Sequence, residues 1–207
     1  MTTNTHNNGG STMTNNYITQ ALATRQSLEE LAATVRDDSL LSADGKREAV
    51  DKAWSEAEAT LRHLEQQHRA ASQGEMERLS RSIYSPPAVN GSLFGTYRDA
   101  LDRAERAAAQ EDTGRLAALM ATAKRTGDIL QQHAVFVVAE QAGRPEDLLA
   151  AKSWLDDHPD KAEAYQQLAA LESPDVVSWE GMEVARAFNL PRKPEFVLGG
   201  TQIGWDA

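Results

Sequence analysis

Histidine and carboxylate side chains are the groups in this 207-residue sequence that could hold a metal or move a proton, and their spacing decides whether they can act together. His63 and His68 fall in a helical stretch. A five-residue step separates them by about 140° around the helix, so they do not form a chelating pair. His68 lies on an apolar stripe and reads as a seam residue, with His63 on the solvent side. His6 sits in a polar segment and His133 in a strongly helical run with no carboxylate at i+4; both read as structural or surface residues. Asp156, Asp157, His158 and Asp160 are the densest polar group. A corner between two helices accounts for them: Pro159 turns the chain, Asp160 caps the next helix, and the others stay solvated. Cysteine is absent, which excludes disulfides and thiolate nucleophiles and suits an intracellular or virion setting. Gly199-Gly200 precede no helical pattern and so form no phosphate loop, and no Gly-x-Ser-x-Gly elbow occurs. The sequence therefore predicts no enzyme, no cofactor and no bound metal.

The elements that carry these residues read as helices. Residues 1–16 are rich in Thr, Asn, Gly and Ser, with neither a basic start nor an apolar run, and are expected to be a polar tail, not a signal peptide or anchor. Asn15 and Asn16 could cap a first helix through Ile18, Leu22, Leu28, Leu31 and Val35, ending near Arg36. The strongest periodic signal follows: Val50, Trp54, Ala57, Leu61, Leu64, His68 and Ala71 are spaced alternately four and three apart, a heptad seam, which Met76, Leu79 and Ile83 continue after a stutter. Ser72-Gln73-Gly74-Glu75 has the capping-box spacing, so the sequence allows either one helix from Ala43 to Tyr84 or a break there. Pro86 and Pro87 end it.

Further helices are expected through Phe94, Tyr97, Leu101, Ala104 and Ala108; through Leu116, Leu119, Met120 and Ala123; and through Ile129, Leu130, Ala134, Val135, Val137 and Val138, the most hydrophobic stretch and the expected centre of the second half. Gly143 suits that helix's C-cap and Pro145 the first turn of the next, whose buried stripe would be Leu148, Leu149, Trp154 and Leu155. A seventh helix would bury Ala164, Leu168 and Leu171, and a short one should run from Trp179 to Asn189. Phe196, Val197 and Leu198, the glycine pair and Thr201, Gln202 and Ile203 read as a small β-hairpin or extended arm.

Composition agrees with this class. The 33 alanines favour long helices, whereas Leu, Ile, Val and Phe total only 38 residues, which implies a thin core. The net charge is −10, with 11 acids between Glu140 and Glu183 facing only Arg144, Lys152 and Lys161. Such a segment repels phosphate backbones, so no nucleic acid partner and no membrane are expected; it keeps the protein soluble or docks a basic partner.

Two resemblances rest on particular residues. Ala134 to Leu171, with Gly143, Pro159 and the run Lys161-Ala162-Glu163-Ala164, resembles one and a half tetratricopeptide units. The order Asp37, Asp38, Leu40, Ser42, Gly45, then a long Ala/Glu/Arg helix, then the helical hairpin from Gly143 to Pro159, is similar to accessory proteins of the virion structural modules of actinobacterial tailed phages. That resemblance implies a structural or assembly role at the head or the head-to-tail junction.

The expectation is thus a mainly α protein: a polar tail (1–16), a long antiparallel helical hairpin (17–84), a linker (85–95), a helical bundle (96–190) and an extended C-terminal arm (191–207). Its function would be non-enzymatic assembly in a virion or the host cytoplasm, with capsid, portal or like proteins and further copies of itself as partners. A cytoplasmic bacterial adaptor binding one protein partner is the alternative. The contact residues would be Val50, Trp54, Leu61, Leu64 and Leu79 on the seam and Phe196, Val197, Ile203 and Trp205 on the arm, where Trp205 lies too near the end for easy burial.

Overall fold

The computed structural model describes residues 9–87, 93–110, 114–172 and 179–195. Among them are eight helices and no strand: α1 (Gly9–Asp37), α2 (Ala43–Tyr84), α3 (Phe94–Ala108), α4 (Arg115–Thr126), α5 (Ile129–Ala142), α6 (Pro145–Asp157), α7 (Pro159–Glu172) and α8 (Trp179–Ala187). The chain divides into two compact units, one of residues 1–75 with 173–207, the other of residues 76–172.

In the first unit the α2 stripe closes on α1. Val50, Trp54 and Ala57 pack with Leu28 and Ala32, and Leu61 and Leu64 pack with Ala21 of α1 and Ala187 of α8. Each large side chain so buried contributes about 1.5–3 kcal/mol. Ser42 caps α2, its Oγ accepting from the Gly45 amide at 3.1 Å, and Lys46 Nζ donates to the Arg36 carbonyl at 2.6 Å, satisfying the end of α1. The helix α1 starts earlier than the asparagines suggest. Asn15 and Asn16 lie inside it, and Asn16 Oδ1 accepts from Gln20 Nε2 instead of capping. Once Tyr17, Ile18 and Ala21 are docked, extending the helix backward requires only propagation, not a new nucleus.

The helix α2 is continuous through Ser72-Glu75. Gly74 costs it about 1 kcal/mol relative to Ala, which is less than Leu79 and Ile83 return through burial one and two turns later. The sequence assigns α8 to the bundle, yet it belongs to the first unit. Ala187, Phe188 and Leu190 supply the apolar surface that completes the α1–α2 seam. Polar contacts hold the segment: Arg25 donates to the Arg186 carbonyl, Trp54 Nε1 donates to the Pro191 carbonyl at 3.2 Å, and Lys193 pairs with Asp51. Residues 191–195 have no regular secondary structure; the arm from Phe196 onward, with Val197, Ile203 and Trp205, lies outside the described residues.

The second unit is built around α5, against which α3, α4 and α6 pack, with α7 on α6. Leu130, Gln131, His133 to Phe136, Val138 and Ala139 are all buried. The left-handed glycines Gly127 (φ 69°) and Gly143 (φ 63°) terminate α4 and α5, conformations a side chain would strain. Asp128 caps α5 by accepting from the Gln131 amide at 3.0 Å, and Pro145 opens α6.

Two expectations are corrected in this unit. The buried face of α6 is Asp147, Ala150, Ala151 and Trp154, whereas Leu149 is 65% exposed and Leu148 lies at the surface. The small alanines admit a close approach to α5, and Trp154 then stacks on Phe136 with ring centroids 4.2 Å apart. Asp160 is not the cap of α7. The His158 carbonyl starts that helix by accepting from the amides of Lys161 and Ala162, and Asp160 sits in the exposed first turn, where its charge suits the helix dipole.

Candidate functional site

The densest buried polar set begins with the two prolines that end α2. A helical carbonyl accepts from the amide four residues on, and for Ser82 and Ile83 those positions are Pro86 and Pro87, which have no N–H. Side chains from the second unit take both carbonyls. Lys161 Nζ donates to Ser82 O at 2.9 Å, and His133 Nε2 lies 3.2 Å from Ile83 O. A carbonyl can only accept, so Nε2 carries the proton; Nδ1 therefore accepts from Tyr97 Oη at 2.9 Å. Burial, reinforced by the neighbouring Lys161 and His158, holds the His133 pKa below the ordinary histidine value against the opposing pull of the Ile83 carbonyl. Burial likewise raises Tyr97. Around them Tyr84, Phe136, Trp154 and His158 form a run of stacked rings.

Other polar groups are engaged in the same way. Gln131, buried on α5, donates through Nε2 to the Ala100 carbonyl and accepts at Oε1 from Arg103 Nη1, both at 3.1 Å. Buried Asp147 pairs with Arg144, whose Nη2 reaches the Ala108 carbonyl at 2.7 Å. Lys124 ties Ser153 O, at 2.7 Å, to Asp157, which the ion pair holds below the usual carboxylate range. Tyr165 donates to Glu140; burial first and that carboxylate second push its hydroxyl well up. Chemically this arrangement ties helices to one another. Among the described residues no group of three or more His, Asp or Glu side chains is placed to hold a metal ion, and no helix is long and apolar enough to cross a membrane.

A surface feature of the same unit presents charge outward. A groove of about 490 Å³ runs between α3 and α4, with Arg103, Arg106 and Gln110 on one wall and Arg115, Leu119 and Thr122 on the other. Each wall is an i, i+3, i+4, i+7 stripe, completed by Ala107 and Ala118, at the edge of the helix's buried face. Buried Gln131 steadies the Arg103 guanidinium, and the Asp102 carbonyl, which accepts from Nε at 3.0 Å, steadies that of Arg106.

The seam residues expected to make contacts are placed apart. Val50, Trp54, Leu61 and Leu64 lie in the first unit, Leu79 in the second, and all five are buried by residues of their own unit. His63 is exposed, and His68 lies half-buried on the seam face, its ring 5.3 Å from that of Phe188. Sequence reading passed over the arginine groove. Its signal in the sequence is only Arg103 and Arg106 on one stripe and Arg115 on the other, and exposed arginines on an amphipathic helix usually mark only the solvated face.

Fold and site together define a mainly α-helical protein whose described buried polar groups join helix to helix. No protein-family model, curated protein or solved structure matches the chain.

Proposed function

We propose that this chain is a non-enzymatic structural or assembly protein that works through protein–protein contacts, in the setting of a tailed-phage virion, at the head or the head-to-tail junction. In this reading a helical hairpin and a helical bundle serve as rigid bodies and the C-terminal arm engages neighbouring chains, copies of the same protein among them. The observation that carries the reading is the employment of the titratable groups. His133, Lys161, Asp147 and Lys124, which in an enzyme would converge on a substrate, each bond to a carbonyl or side chain of another helix or hold a helix end. Such bonding makes the bodies stiff, as an assembly component requires. The test is multi-angle light scattering of the full chain, alone and mixed with capsid and portal proteins of such a phage. Self-association or co-elution with one of them is the expected result; a chain that stays monomeric in every mixture refutes the reading.

A further inference from the structure

We infer that the groove between α3 and α4 is a docking site for a carboxylate-rich, amphipathic segment of a partner protein. The inference rests on the assembly reading above and names the chemistry of one contact. Three features select this occupant. Arg103, Arg106 and Arg115 line one groove and no carboxylate is among its described lining residues, so an anion laid in it meets guanidinia.

Secondly, Arg103 and Arg106 are set in place before any ligand arrives. Arg103 is fixed by Gln131, itself buried and anchored on Ala100, and Arg106 by its own helix. A guanidinium held in this way loses little freedom on meeting a carboxylate and presents the planar fork that two oxygens match.

Thirdly, the walls are not uniformly polar. Leu119 and Ala107, both partly buried, and exposed Ala118 lie between the arginines, giving apolar side chains of a ligand a surface to cover. A nucleic acid strand would use the charges but not that surface. An amphipathic helix with acids on its flanks and leucines between them uses both. Asp99 stands on the arginine stripe one turn before Arg103, beyond the groove lining, and disfavours acidic ligands that extend past that end.

The probe is a fluorescein-labelled peptide of Glu and Leu about three turns long, with leucines on one face. Fluorescence anisotropy follows its binding to the full chain, beside a Lys/Leu peptide of the same pattern and a single-stranded oligonucleotide of similar length. The acidic peptide should bind, weaken with added salt, and lose at least about tenfold in affinity when Arg103→Glu, Arg106→Glu and Arg115→Glu are combined. Leu119→Asp should weaken it as well, whereas Arg62→Glu, at an exposed position of α2, should not. Circular dichroism checks that the triple variant keeps its helicity; if it unfolds, the single variants, each read separately, decide. Absence of binding, binding indifferent to the arginines, or tighter arginine-dependent binding of the oligonucleotide overturns the inference. If the groove fails while the chain still joins capsid or portal proteins, the assembly reading stands and only this contact is lost. If the peptide binds while the chain joins nothing, the groove stands and the assembly reading falls.

Discussion

Replacing His133 with leucine tests how the second unit is held together. The imidazole serves two buried groups, donating to the Ile83 carbonyl and accepting from the Tyr97 hydroxyl, and the carbonyl has no helical amide to fall back on because Pro87 lacks an N–H. His133→Leu roughly preserves volume and strands both. At about 1–3 kcal/mol for each buried polar group left unpaired, the loss should be about 2–6 kcal/mol. Tyr97→Phe alone strands only Nδ1 and should cost about 1–3 kcal/mol. The double variant removes both partners of one bond, so its cost should fall short of the sum of the two, by about 1 kcal/mol or more. Urea unfolding followed by far-UV circular dichroism at pH 8 measures all three. A His133→Leu loss below about 1 kcal/mol, or strict additivity in the cycle, would refute the bonding scheme. The same histidine fixes a pH dependence. Its folded pKa lies below its unfolded value of 6.5, so between those values the unfolded chain binds the extra proton. Stability is therefore full above about pH 6.5 and falls as the solution is acidified through the window beneath it, at up to about 1.4 kcal/mol per pH unit for one proton. His133→Gln should flatten that slope in urea melts between pH 7.5 and 5.5. His68, lowered chiefly by burial in the first unit, adds a slope of the same sign that this variant leaves in place.

Three other substitutions probe the remaining contacts. Leu61→Asp places a charge in the core of the first unit and should cost several kcal/mol, on the order of 3–5, or open α1 from α2; an unchanged melting temperature would mean that the stripe is not buried. Gly74→Ala should stabilise by about 0.5–1 kcal/mol, because an added Cβ there meets nothing within 4 Å and the helix is continuous; destabilisation in thermal melts would indicate a break at this residue. Trp54→Phe removes the bond to the Pro191 carbonyl and should raise the rate of tryptic cleavage after Arg192 severalfold with helicity intact; an unchanged rate would mean that this bond does not hold the segment down.

Sequence alone determined the helical class and most of the punctuation. Pro86-Pro87 and Gly143 with Pro145 end or start helices where their backbone chemistry requires, because a missing amide and a left-handed φ act over a few residues. The heptad seam of α2 and the apolar run of α5 were legible for a similar reason: burial of one face, or of all of them, is written in the period. Tertiary structure decided the rest. The inward face of α6 was misread because two adjacent leucines looked more buried than two adjacent alanines, and only the close approach of α5 reverses that order. The same holds for α8, whose apolar residues fit any open seam until the fold supplies one. The proton position on His133 follows from a carbonyl 50 residues away, and the arginine groove from two stripes that become neighbours only when α3 and α4 pack side by side. Local rules place the ends of helices; which faces meet depends on the volume and hydrogen-bonding needs of residues distant in the chain, and no window of sequence contains both.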